Sequence, residues 1–434
     1  MATLLTFIFW VLVLAVLGSL LLNGYMILLV LRYPKPQMGN EVHTIRTDDD
    51  WNIQLFRRKT SEAPGEPVLL VHALTANHLN FETPAGLSLV DVLSAEGYDC
   101  WSLDLRCCES AAAPEGRGIG DISFDDYLFK DLPAAIAYIR EATGHGKVHW
   151  VGHSMGGMLL YAYNVAFGSE YLASGISLGA PAGFKNVFYK PPSLLFRLTA
   201  IAPNLTRTIL KSFTPFARSL RPAFIGFPVN WDNVHPGVDA RALFNMVEAV
   251  PPLVAAEIDG WLSTGDWKVN RGQLDVSANV SKIDVPLLVV CGKQDPLTPE
   301  PKIRQFFDAL PGRDKKLVFL SKKNGFVADY GHADLAFGVE STKEVYGPVL
   351  EWIQEHYVKG IRRSRKSVTA AAPTGAATAR KAEKKAPARK AAATKKTVSR
   401  QAPSKTEADA QRKSVAKKTA APKKKARSRK KSAS

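Results

Sequence analysis

The chain has 434 residues and a formal net charge of +17, but that charge is unevenly spread. From Ile361 to Ser434 stand 25 Lys and Arg against three acids (Glu383, Glu407, Asp409), which leaves residues 1–360 at a net −5. The basic pI therefore describes a tail, and the rest has a mildly acidic globular composition long enough for one large domain. The four cysteines, Cys100, Cys107, Cys108 and Cys291, show neither metal-ligand spacing nor a disulfide framework. That pattern excludes a disulfide-stapled scaffold and fits a reducing compartment.

The first 31 residues hold no charged side chain. Leu4–Leu31 is apolar apart from Thr6, Ser19, Asn23 and two glycines, and about 20 such residues span a bilayer. No Lys or Arg precedes this run, whereas Arg32 and Lys35 follow it. A cleaved signal peptide wants the opposite arrangement and a shorter apolar region. Residues 1–35 are therefore expected to be an uncleaved single-pass transmembrane anchor, with the chain that follows it on the cytoplasmic side by the positive-inside rule.

Beyond Pro36 the chain alternates strand-like and helix-like runs. Glu41–Thr47 and Trp51–Arg58 flank three aspartates and read as a hairpin. Pro67–Leu74 is a continuous apolar run of the kind a buried parallel strand shows. Leu87–Glu96 reads as a helix and Tyr98–Arg106 as a strand. Ser123–Thr143 reads as a helix, with Ser123 as N-cap, Asp125 and Asp126 in the first turn and Gly144 at the end. Strands over Lys147–Ser154 and Ser174–Pro181 bracket a helix over Met155–Phe167. About 100 residues without clear alternation follow. The chain then resumes with a strand at Val285–Gly292, a helix near Pro299–Leu310, a strand at Lys315–Leu320 and a helix near Lys343–Val358. Such alternation predicts a doubly wound, mostly parallel α/β sheet.

Gly152-His153-Ser154-Met155-Gly156 fits G-x-S-x-G, with an apolar strand before it and a helical run after it. That context is a nucleophile elbow: flanking glycines permit a sharp turn that exposes the serine hydroxyl, and the helix start favours an oxyanion. The remaining triad members follow in the order acid, then histidine. Asp295 stands at the mouth of the Val285–Gly292 strand, and His332 follows the last strand by one loop. Asp284 precedes its strand and so falls at the wrong end of the sheet, while His356 sits in the terminal helix as a surface residue. The oxyanion donors expected are the backbone N–H groups of Met155 and of Leu74, in the loop after the early strand. His72, in that loop, comes before the serine and is read as hydrogen-bonding the loop.

Over about Glu41–Val358 the sequence resembles the α/β-hydrolase superfamily. SFDDYLFKDLPAAIAYIREATGHGKVHWVGHSMGG (Ser123–Gly157) is similar to the corresponding stretch of the acid lipases, the gastric and lysosomal type. A more distant likeness is to polyhydroxyalkanoate synthases, whose nucleophile is cysteine, and Ser154 counts against membership there. The resemblance implies an α/β-hydrolase fold and esterase or lipase activity, with Ser154, Asp295 and His332 as triad and Leu74 and Met155 as oxyanion donors. Two positions depart from the family: Ala73 stands in place of a glycine, and Cys107-Cys108 replaces the glycine usual after Asp104-x-Arg106.

The expected organisation is an anchor (1–35), a hydrolase core (36–183 and 281–360), a cap or lid insertion (184–280) and a disordered Lys/Ala/Pro-rich tail (361–434). Between Lys185 and Arg221 the insertion has seven basic residues, no acid and apolar residues including Phe196, Leu198, Ile201 and Phe213. Leu205, Ile209 and Phe213 share one helical face. It reads either as a lid for acyl chains or as ordinary cap helices. The tail lacks the apolar surface needed to fold. Its basic residues suit anionic lipid or non-specific nucleic-acid contact, without aromatics for base stacking. No cofactor or metal is expected, for there is no G-x-G-x-x-G after a strand, no phosphate loop and no cluster of metal ligands. The expected function is a serine hydrolase cleaving esters of apolar acyl groups. The alternative is a non-catalytic membrane tether that presents the tail. The sequence specifies no oligomeric state.

Overall fold

The structure is a computed structural model, and it describes residues 1–36, 39–62, 64–83, 86–185, 198–221 and 229–357. The basic tail, and with it the expectation of disorder there, lies outside the described residues, as do Lys190, Phe196 and Arg197 of the insertion.

Helix α1 (Ala2–Arg32) is almost wholly exposed, and its Thr3–Arg32 stretch is long and apolar enough to cross a membrane. The sheet then begins with the hairpin β1 (Glu41–Arg46) and β2 (Asn52–Arg58). Next come β3 (Pro67–Val71), helix α2 (Leu89–Ala95) and β4 (Asp99–Asp104). Helix α3 (Leu132–Thr143) leads to β5 (Val148–His153), α4 (Met155–Phe167) and β6 (Leu172–Leu178). The insertion contributes α5 (Pro203–Phe213), α6 (Ala240–Met246), α7 (Pro252–Thr264) and a two-stranded ribbon, β7 (Lys268–Val269) with β8 (Leu274–Asp275). The chain returns through β9 (Leu287–Gly292), α8 (Glu300–Ala309), β10 (Lys315–Leu320) and α9 (Tyr346–Glu355).

Eight strands form one sheet in the order β1-β2-β4-β3-β5-β6-β9-β10. β2 runs antiparallel to both β1 and β4, and every other pairing is parallel. The central strands β3, β4, β5, β6 and β9 are buried at every residue because helices cover both faces, which explains the unbroken apolar sequence of β3 and of Leu287–Cys291 in β9. Trp150, Leu159 and Ile136 pack on one face, and Val151, Leu178 and Trp352 on the other.

The expected elements fall where the pattern placed them, with three differences. The Ser123–Thr143 helix contains a π-helical turn over Tyr127–Asp131, where Asp131 turns inward to bind the buried Arg106. The described residues of the stretch without alternation are largely helical. His356 is mostly buried rather than a surface residue: its ring packs on Trp352 and bonds Asp314.

Candidate active site

In a parallel sheet the loops at the carboxyl ends of the strands share one edge, where side chains from distant sequence positions can meet. Ser154 follows β5, Asp295 follows β9 and His332 follows β10. All three are nearly buried. Ser154 has φ +53°, an uncommon backbone for a residue with a side chain. Its N–H donates to Leu178 O at 2.8 Å, which holds the turn on β6. Two glycines make the turn possible. A Cβ on Gly152 would meet the Gly156 backbone at 2.3 Å, and one on Gly156 would meet Val71 O at 2.0 Å.

His332 Nε2 lies 2.8 Å from Ser154 Oγ, and its Nδ1 lies 2.8 Å from Asp295 Oδ2. Asp295 also accepts from the Thr298 hydroxyl at 2.8 Å and from the Leu297 N–H at 2.9 Å, so the carboxylate is fixed from three directions. With Asp295 accepting at Nδ1–H, the imidazole presents a bare Nε2 to the serine hydroxyl. The structure thus brings together the three side chains singled out from the sequence. Asp284 is elsewhere, accepting from Ser169 before β9.

Met155 is the first residue of α4, so its N–H is one of the first-turn donors with no acceptor inside the helix. Leu74 follows β3 in a loop bent by Thr75, whose φ is +63°. This loop is held by side chains that sequence reasoning missed. Ala73 N–H donates to Asn80 Oδ1 at 3.0 Å, and Thr75 O accepts from Glu248 N–H at 2.9 Å. Glu248, from the insertion, accepts from Asn77 Nδ2 at 2.8 Å and from Glu109 N–H at 3.2 Å. Burial raises its carboxyl above the usual range, although the Asn77 amide and the Lys211 ammonium oppose this.

His72 hydrogen-bonds the loop: Nδ1 lies 2.8 Å from Ala73 O, and Nε2 accepts from Leu105 N–H at 3.3 Å. Burial lowers its pKa, against the Asp104 charge and the hydrogen bond to Ala73 O, so the ring is neutral. The fold also gathers what linear spacing did not show. Ligand atoms of His72, Asp104 and Cys108 lie within 4.8 Å of one another. Each already has partners, since Asp104 accepts from His78 and Ser110, and Cys108 Sγ lies 3.3 Å from His72 Nε2. The cluster reads as a hydrogen-bond network.

His153 links the two loops, with Nδ1 3.0 Å from Asn80 Oδ1 and Nε2 3.2 Å from His332 O. Burial, with the neighbouring His332, pushes its pKa down to about 3, so it too is neutral. The His332 loop is tied to the insertion by Asp334. Asp334 accepts from Gly331 N–H at 3.0 Å, Asn233 Nδ2 at 2.8 Å and Asn230 N–H at 3.1 Å. Its place two residues after His332 was the one sequence hint of that role.

A cavity of about 150 Å³ opens beside His332 and His153, walled by Leu74, Leu210, Phe213, Trp231, Met246 and Phe337. Its lining is overwhelmingly apolar.

Residues 66–339 match the family model for the alpha/beta hydrolase fold. The chain belongs to the α/β-hydrolase family. Within this α/β-hydrolase family its likeness is to the acid-lipase branch. It is 23% identical to human gastric triacylglycerol lipase over 370 residues, covering 73% of this chain and 88% of that protein. It is likewise 23% identical to Arabidopsis thaliana triacylglycerol lipase 2 over 366 residues, covering 71% and 83%. Among solved structures, an esterase from Thermogutta terrifontis matches with a TM-score of 0.47 at 19% identity, covering 73% of this chain and 99% of that one.

Proposed function

We propose that the protein is a serine carboxylester hydrolase whose catalytic triad is Ser154, His332 and Asp295. The observation that carries this reading is the unbroken hydrogen-bond chain from serine to imidazole to carboxylate, whose imidazole lines an apolar cavity. The relatives named lipases and esterases support the same class of substrate.

In this reading Ser154 Oγ attacks the ester carbonyl while His332 Nε2 takes the hydroxyl proton. Asp295 orients the ring and stabilises the imidazolium that forms. The negative charge on the carbonyl oxygen is met by the N–H groups of Met155 and Leu74. His332 then passes its proton to the departing alkoxide, leaving an acyl group on Ser154. A water, deprotonated by the same imidazole, releases the acid. The apolar cavity walls suit an apolar acyl group, because a polar one would lose its hydration there without gaining partners.

The proposed organisation is an anchor over residues 1–35, a core over 36–183 and 281–360, and a cap over 184–280. The anchor makes the protein single-pass, and Arg32 and Lys35 after the apolar run favour a cytoplasmic catalytic domain. The tail, 361–434, would add contact with anionic lipid or nucleic acid.

A fluorophosphonate probe should label the native protein and leave Ser154→Ala unlabelled. A panel of nitrophenyl esters should show turnover that rises with acyl length until the cavity is filled. Absence of labelling in a folded native protein overturns the proposal.

A further inference from the structure

α1 does not leave the domain as a free tether. Its last turns pack on the insertion: Leu29 is buried, and Tyr25 OH donates to Ser212 O of α5 at 3.1 Å. Immediately after α1, Tyr33 O accepts from Asn245 Nδ2 at 3.2 Å and Pro34 O from Arg241 Nε at 3.1 Å, both from α6. The Tyr33 and Phe244 rings meet with centroids 5.7 Å apart. The stretch from Thr3 to Leu21 rises about 28 Å, which already spans the hydrocarbon of a bilayer. The segment from Leu22 onward, with the cap helix clamped to it, therefore lies at the level of the lipid head groups.

Leu205 of α5 is 50% exposed, and Leu198 and Ile201, on the short helical turn just before it, are 41% and 82% exposed. Within α5, Leu205 and Ile209 stand one turn apart, and α1 packs on the following turn through the Tyr25 bond to Ser212 O. Phe216 and Leu220, just beyond, are exposed as well. Leu210 and Phe213 wall the cavity beside His332, so Phe213 does not share the outer face expected for it with Leu205 and Ile209. The α5 segment thus lines the proposed acyl pocket with Leu210 and Phe213, while Leu205, with Ile201 and Leu198 just before it, leaves an apolar stripe uncovered.

We propose that this stripe lies in the bilayer that holds α1, seating the cavity on that membrane so that the enzyme takes its ester from the same leaflet as its anchor. The occupant is lipid because the uncovered stripe is continuous with the α1 interface. The contacts of Leu29, Tyr25, Tyr33 and Pro34 also keep the cavity beside the anchor. The inference rests on reading α1 as a span and Ser154 as an ester-hydrolase nucleophile, and the test separates these.

The full chain carrying Ile201→Cys is labelled with the environment-sensitive dye NBD and reconstituted in phosphatidylcholine vesicles, with wild-type carried through the same labelling to subtract Cys107. Expected are a blue-shifted emission and quenching by lipids brominated near the head group. Water-like, unquenched emission overturns the docking. Alkaline carbonate extraction checks the anchor separately: a chain released into the supernatant ends the span reading and the docking with it. A long-chain ester placed in the protein's own vesicles should be cleaved at least tenfold faster than the same ester in separate vesicles. Equal rates overturn the same-membrane claim. Ile201→Asp/Leu205→Asp should lower the same-vesicle rate at least fivefold while leaving hydrolysis of a soluble butyrate ester unchanged, and an unchanged same-vesicle rate overturns the role of the stripe. A docked probe with no hydrolysis in either arrangement leaves the docking standing and sinks the esterase reading.

Discussion

Gly156→Ala tests how tightly the elbow is pressed against β3. The added Cβ would lie 2.0 Å from Val71 O, 2.7 Å from Val71 C and 3.1 Å from His72 O. Carbon and carbonyl oxygen approach no closer than about 3.3 Å in favourable contacts, so a gap of about 1.3 Å must open. Val71 cannot give way easily, for it ends a buried strand paired with β4 on one side and β5 on the other. The start of α4 must move instead, and with it Ser154 and the Met155 N–H, away from the His72–Leu74 loop. A misplacement of about 1 Å costs on the order of 100-fold in rate, and overpacking of this kind costs about 1–3 kcal/mol of stability. kcat/KM on nitrophenyl butyrate and the rate of fluorophosphonate labelling should both fall about 100-fold, with a lowered Tm. Gly260→Ala is the control: nothing lies within 4 Å of its Cβ in the middle of α7, and it should leave the rate unchanged and raise stability by about 0.5–1 kcal/mol. A Gly156→Ala protein with more than half the native rate and an unshifted Tm would refute the argument.

Asp295→Asn should lower kcat by roughly 10⁴-fold with KM nearly unchanged, because an amide facing Nδ1 favours the wrong imidazole tautomer; more than a tenth of native kcat would sink the assigned role. Glu257 accepts from Phe124 N–H at 2.7 Å, and burial, aided by Asp125 and Asp126, raises its carboxyl to about 7 from 4.5. The native state therefore holds this proton up to about pH 7 while the unfolded chain loses it near 4.5, so stability falls as pH rises through that window. Glu257→Gln keeps the acceptor and removes the charge. Unfolding free energies from urea titration should match those of the native protein near pH 4 and exceed them at pH 8 by on the order of 1 kcal/mol, reduced by the side chain's partial exposure. An equal gain at both pH values would rule out the titration.

The sheet was legible because its central strands are buried on both faces and so spell unbroken apolar runs such as Val68–Val71 and Leu287–Cys291. The candidate triad was legible because G-x-S-x-G had a strand before it and a helix after it, and because the fold class fixes which strand ends share an edge. The architecture of the insertion was not. Its helices carry no alternation against which to register them, and their positions depend on contacts such as Asn77 with Glu248, 171 residues apart. The supporting residues Asn80, Glu248 and Asp334 were hidden for the same reason. A polar side chain in a loop looks alike in sequence whether it faces solvent or closes a buried network. The inward turn of Asp131 left a trace only as an ordinary acid in a helical run, since its partner Arg106 lies 25 residues earlier.

The two departures from the family pattern acquire a physical sense in this setting. Cys108 is buried against His72 Nε2 and the Ala76 carbonyl, filling space that a glycine would leave beside the β3 loop. Ala73 keeps the loop conformation through its N–H bond to Asn80 and its carbonyl bond to His72. The loop is thus braced from the core side by neutral groups, His72 and Asn80, and from the insertion side by Glu248. The His332 loop is braced in the same way, by His153 from the core and by Asn230 and Asn233 from the insertion through Asp334. A buried carboxylate is tolerable only while its donors stay in place, and the donors of Asp334 and Glu248 are divided between core and insertion. Residues 229–248 are thus tied by hydrogen bonds to both catalytic loops, while Leu210 of α5 lines the same cavity without such a tie to those loops among the described residues.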